Sequence, residues 1–156
     1  MGEIVSVILL GLLVLLLVSA GIEDARTRTI ANWKNAAIAL LALPWWGVMG
    51  LSLWPDIVTQ IALALAVFAL FAAAFHFGMM GGGDVKMIAA LALWFPLQPL
   101  MTMLILMSLA GGAITILMLI DKWWRRQSAQ PEIPYGIAIA MAALLMMREP
   151  FLNQFP

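Results

Sequence analysis

The chain contains no cysteine. Disulfides, thiolate zinc sites and a cysteine nucleophile are therefore excluded together. It has one histidine, so a metal site would have to be built from carboxylates, and these are few and scattered. Charge is scarce too: 10% of residues are charged against 65% hydrophobic, with a mean hydropathy of +1.05. A soluble domain usually carries about 25% charged residues. The net charge is zero, which removes bulk attraction to nucleic acid as a role. No hydrophilic stretch is long enough to form a soluble domain, so residues 1–156 read as one membrane-embedded domain.

What the chain does have is six apolar segments: Ile4–Ile22, Ala36–Leu53, Ile57–Phe77, Val85–Phe95, Leu100–Ile120 and Pro134–Met147. An open sheet cannot satisfy its backbone in lipid. The expectation is an all-α polytopic membrane protein of about six transmembrane helices. The first segment lacks the basic start of a secretory signal and carries Glu3 instead, so it reads as a retained helix. With the N-terminus outside, Glu23–Lys34, Gly78–Gly83 and Asp121–Ile133 face the cytoplasm. Arg26, Arg28, Lys34, Lys86, Lys122, Arg125 and Arg126 then lie on that side and only Arg148 outside, as the positive-inside rule favours. Trp45, Trp46 and Trp54 are expected at the outer interface, and Trp33, Trp123 and Trp124 at the inner one.

Within this apolar background stands Gly81-Gly82-Gly83-Asp84-Val85-Lys86. A carboxylate beside membrane-length segments is a functional-site hypothesis by default. Val85–Phe95 has too few residues to cross a bilayer, which needs about 20. The glycine run is therefore expected to border a recessed, water-accessible cleft. On the same face Asp24 closes the first segment, and packing can bring it to Asp84. Two carboxylates sharing one proton suit peptide hydrolysis: one takes a proton from water while the other polarises the scissile carbonyl. The glycines would let an extended substrate backbone approach.

Each residue also has a structural reading. Asp84 is a good helix N-cap, Gly81–Gly83 a turn, and Asp24 a surface charge paired with Arg28. Glu23 points about 100° away from Asp24 on a helix and reads as surface. Lys86 reads as an interfacial anchor, and Gly111–Gly112 as a close helix contact.

Taken together, the motifs resemble the type IV prepilin peptidases, membrane aspartic proteases of the GxGD class, and most nearly their short branch that serves Flp-type pili. Gly81–Met87 is similar to the GxGD motif with its following lysine. Glu23–Trp33 is similar to the segment bearing the first catalytic aspartate. Pro134-Tyr135-Gly136 is similar to the proline–aromatic–glycine that opens the last helix. The resemblance implies a catalytic dyad of Asp24 and Asp84. It implies substrate or loop roles for Gly81, Gly82, Gly83, Lys86, Pro134, Tyr135 and Gly136, with no cofactor and no metal. It further implies a multi-pass protein of the bacterial inner membrane. Its partners would be lipid, pilus assembly machinery, and prepilin and pseudopilin precursors cut at their basic leader, just before their hydrophobic helix. The enlarged, cysteine-bearing loop of larger members is missing, so peptidase without methyltransferase activity is expected. Ala31 stands where the family commonly has proline. The reading from another class is a small proton- or cation-coupled transporter or channel subunit with Asp24 and Asp84 as ion sites. A third is a catalytically idle scaffold of a secretion apparatus.

Overall fold

The computed structural model describes residues 2–125 and 134–147. The expectations that fall on Arg126 and Arg148, and on the side chains of Lys122 and Arg125, lie outside the described residues. All regular structure in the described chain is helical: α1 (Gly2–Thr27), α2 (Asn32–Val48), α3 (Val58–His76), α4 (Gly82–Ala92), α5 (Leu97–Arg125) and α6 (Tyr135–Met146). A single π-helical turn, Leu53–Ile57, leads into α3. Three helical segments are long and apolar enough to cross a bilayer: Gly2–Thr27, Leu53–His76 and Leu97–Asp121. The chain is a polytopic membrane protein.

The two short helices, α4 and α6, form the inside of the bundle. α4 packs against α2, α3 and α6, and α6 against α1, α4 and α5. Most of α4 is buried, including Val85, Met87, Ile88 and Leu91, whereas the long helices turn rows of Leu, Ile, Val and Phe outward. In lipid that outward face needs no polar cover. The surface of α6 that faces its neighbours is nearly all alanine: Ala138, Ala140, Ala142 and Ala143, with Ile139. Small residues of this kind let helix backbones approach closely.

An eleven-residue helix ends inside the protein, where its last carbonyls meet no bulk water and must find donors. Side chains from two other helices supply them. Gln60 Nε2 donates to the carbonyls of Ala92 (2.7 Å) and Phe95 (2.6 Å), and Trp46 Nε1 donates to that of Leu93 (2.8 Å). Trp94 Nε1 returns a bond to the Ile38 carbonyl at 2.8 Å. This corrects the expected outer aromatic belt. Trp45 and Trp46 are core residues, Trp45 lying 5.4 Å from Trp94 between ring centres, while Trp54 is exposed as expected.

Helix ends differ from the apolar limits for identifiable reasons. α1 continues past Ile22 through Glu23 and Asp24 because nothing breaks it before Arg28, whose φ of +56° ends the helix. The Arg28 amide bonds the Asp24 carbonyl at 2.9 Å there. α4 starts at Gly82 and not Val85, so two of the three glycines are helical. α5 begins near Pro96 and carries Pro99 in its first turn, where a missing amide hydrogen is no loss. It continues through Asp121 to Arg125, so Asp121 is helical.

Candidate active site

Asp24 and Asp84 are both buried, at 4% and 7% exposure, in a chain that otherwise turns most of its charged groups outward. They line one cleft of about 230 Å³ together with Arg28, Thr29, Ile30, Asn32 and Gly81–Gly83. The fold thus brings two acids sixty residues apart into one recess, as the sequence suggested.

Asp84 occupies the third position of α4, with Gly81 as the N-cap. The expectation that Asp84 itself is the cap is therefore corrected. Its carboxylate turns back to accept a hydrogen bond from the Gly81 amide, the geometry of the acidic partner in a capping box. Burial first, and the negative charge of Asp24 second, push its pKa from 3.8 up to about 7, against the opposing pull of the Gly81 amide. Such a carboxyl holds its proton for a large fraction of the time near neutrality.

The glycines around it are favoured by close contacts and not by unusual backbone angles. A Cβ on Gly81 would stand 3.0 Å from Asp84 Oδ2, one on Gly82 would stand 3.3 Å from the Phe75 ring, and one on Gly83 would stand 3.2 Å from Ile30. The run is thus a packed helix start resting on the α1–α2 connection, which narrows the earlier reading of an open turn.

Asp24 sits on the last turns of α1 and faces the first turn of α6. The amides of Gly136 and Ile137 point toward its carboxylate, while Oδ2 is buried without a hydrogen-bond partner. A Cβ on Gly136 would come within 2.8 Å of both Cγ and Oδ2 of Asp24. Gly136 therefore backs the carboxylate. Pro134 is buried at the entry to α6, and the half-buried Tyr135 lays its ring where a Cβ on Gly111 would be, 2.8 Å away. Gly111 is accordingly the close contact foreseen in α5, whereas Gly112 has open space beside it. Lys86 is exposed and does not reach the cleft. It donates to Asn32 Oδ1 at 2.8 Å, tying α4 to the start of α2.

Two groups escaped the sequence reading. Asn35, buried in α2, donates to the Gly83 carbonyl at 3.1 Å and so fixes the glycine run from behind. Lys34 is also buried. It pairs with Glu23 at 2.8 Å and donates to the Ser19 hydroxyl and carbonyl at 2.6 and 3.0 Å. Glu23 Oε2 additionally accepts the Ala31 amide at 3.3 Å. Glu23 is therefore a clamp across the α1–α2 connection and not a bare surface charge. Proline has no amide hydrogen to give, so this bond depends on a residue other than proline at position 31. The only sequence signal for either group was a polar residue facing the side of α2 that carries Ile38.

A family model described as the type IV leader peptidase family matches residues 11–116. That stretch contains both aspartates and the glycine run and stops short of Pro134–Gly136. No curated protein and no solved structure matches the chain.

Proposed function

The chain belongs to the type IV leader peptidase family, and from that premise we propose that it hydrolyses its substrate with Asp24 and Asp84 as an aspartic dyad. The observation that carries this is the shared cleft: the two acids are buried, distant in sequence, and face one recess. Family membership supports a membrane leader peptidase, with prepilins as the substrates it implies. The finer reading is removal of the basic leader from Flp-type prepilins and pseudopilins at the cytoplasmic boundary of the inner membrane, with the N-terminus outside.

The chemistry follows from the two environments. Asp84, with a pKa of about 7, supplies the proton that polarises the scissile carbonyl. Asp24, whose carboxylate lines the same recess, takes a proton from the attacking water. As the carbon–nitrogen bond breaks, the leaving amine receives a proton from the pair, and the dyad returns to its one-proton state. Gly81–Gly83 line the recess beside Asp84, where a peptide backbone would lie. The α6 amides and Gly136 hold Asp24 in orientation.

The test is co-expression with a candidate prepilin. Asp24→Asn and Asp84→Asn should each lower leader removal by at least about 100-fold, the lower end of what a general acid or base contributes, while both variants accumulate in the membrane. Full processing by either one would remove the dyad. No processing by the unaltered protein would favour a scaffold role.

A further inference from the structure

A second concavity lies beside the acidic cleft. It is a groove of about 430 Å³ between α2, α3 and α4. Its floor is alanine, Ala36 and Ala39 from α2 and Ala89 and Ala90 from α4; its wall is Ile61, Leu65 and Phe68, one face of α3. The three wall residues are exposed although large and apolar. A floor without side-chain bulk leaves a trough into which another helix backbone can settle.

One end of the trough is polar. Asn32, Asn35 and Lys86 close it, and Asn32 also lines the cleft that holds Asp24 and Asp84. Asn35 is 4% exposed, and its Oδ1 has no hydrogen-bond partner. From Lys86 to Leu93 the groove follows α4 for about 10 Å, two helical turns at 1.5 Å per residue. The groove and the cleft therefore adjoin: the polar end of the apolar trough meets the recess with the two acids at Asn32, which lines both.

An occupant that uses both parts must be one chain, apolar and helical in the trough, then extended and polar in the cleft. A lipid acyl chain matches only the trough. We propose that the α2–α3–α4 groove holds the first two turns of the substrate's own membrane helix, docked so that the peptide bond just before it lies between Asp24 and Asp84. This rests on the peptidase reading and adds to it the place on this chain where the helix of the substrate is held. The groove acts as a ruler that measures the cut from the start of the helix.

Because the chain has no cysteine, the test has no background. Ala39→Cys and Leu65→Cys are each placed in the Asp84→Asn protein, which holds the precursor uncut, with Asp24→Asn as a second trap. The partner is a prepilin carrying single cysteines along the first two turns after its cleavage point. Oxidation in membranes should give disulfides from both groove positions, recurring every three to four substrate residues. Ile116→Cys, on the exposed outer side of α5, should give less than about a tenth as much, since no helix is held there. In the otherwise unaltered protein, Ala89→Leu fills the floor and should raise KM for the precursor about tenfold or more while kcat changes by less than about threefold.

Equal cross-linking from Ile116→Cys, dimers of the peptidase through Leu65→Cys, or no groove cross-links, as for a lipid-filled groove, would overturn the proposal. If Ala89→Leu fails to fold, the cross-links alone decide. Failure of the unaltered protein to cut the precursor sinks the peptidase reading and this one with it. Normal cutting without groove cross-links sinks only the groove.

Discussion

Asp84→Asn is expected to stabilise the folded protein, and only at pH values above those at which the unfolded chain's Asp84 carboxyl loses its proton. In the folded protein its pKa is raised from 3.8 to about 7, chiefly by burial and then by the charge of Asp24. Ionisation is therefore harder in the folded chain than in an unfolded one whose side chain reaches water. At about 1.4 kcal/mol per unit, the rise from 3.8 to about 7 corresponds to roughly 4 kcal/mol at most. Below the unfolded value both states keep the proton and the penalty vanishes. It grows as pH rises from about 4 and levels off above about 7, because the unfolded state loses its proton first. Asparagine is neutral throughout, has the same shape, and its Oδ1 can still accept the Gly81 amide. Thermal unfolding in detergent micelles at pH 4.5 and pH 8 reads the difference. The variant should gain clearly more over the native protein at pH 8 than at pH 4.5. An equal advantage at both values, or a less stable variant at pH 8, would refute the burial argument. Adding Asp24→Asn to the native background should shrink the pH dependence only in part, because burial is the larger cause.

Further outcomes follow from the same structure. The processing rate should fall as pH rises through about 7, where Asp84 loses the proton it donates, and a rate independent of pH from 6 to 8.5 with chemistry limiting would count against that role. Gly136→Ala puts a methyl into the Asp24 carboxylate, and a displacement of about 1 Å can lower kcat about 100-fold; kinetics at saturating substrate would check it. Gln60→Leu leaves the Ala92 and Phe95 carbonyls without their donor, at about 1–3 kcal/mol each, which a fall in unfolding temperature would register. Ala31→Pro should be nearly neutral in stability: φ is −60°, so proline fits and gains about 0.4–1 kcal/mol against loss of the 3.3 Å bond to Glu23.

Hydropathy located every helix, because in a bilayer the apolar run and the helix are nearly the same object. Where the two separate, the cause is a contact that hydropathy does not contain. α4 reaches back to Gly82 because the Asp84 carboxylate turns onto the Gly81 amide. Trp45 and Trp46 look like interfacial anchors in sequence, yet one stacks near Trp94 and the other caps the end of α4. Lys34 reads as a cytoplasmic charge until Glu23 and Ser19 are seen to surround it. The two aspartates could be paired on paper because each stood at the end of an apolar run on the same expected face. The support behind them, Asn35 on Gly83 and Gly136 on Asp24, depends on which helices are neighbours, and no local pattern encodes that.

The alanine face of α6 has a consequence for how the dyad keeps its dimensions. Asp24 belongs to α1 and Asp84 to α4, and α6 packs against both helices. It works as a gauge block between the two jaws of a vice. Alanine has no side-chain rotamer to lose or to switch, so wherever alanine makes the contact the thickness of the block is fixed by backbone and methyl groups. Variation that retunes the gap between the acids should therefore collect at positions such as Ala140, which lies against Gly21 of α1, while the aspartates stay as they are. A single added methylene there would act as a shim, altering turnover from a helix that carries no acid.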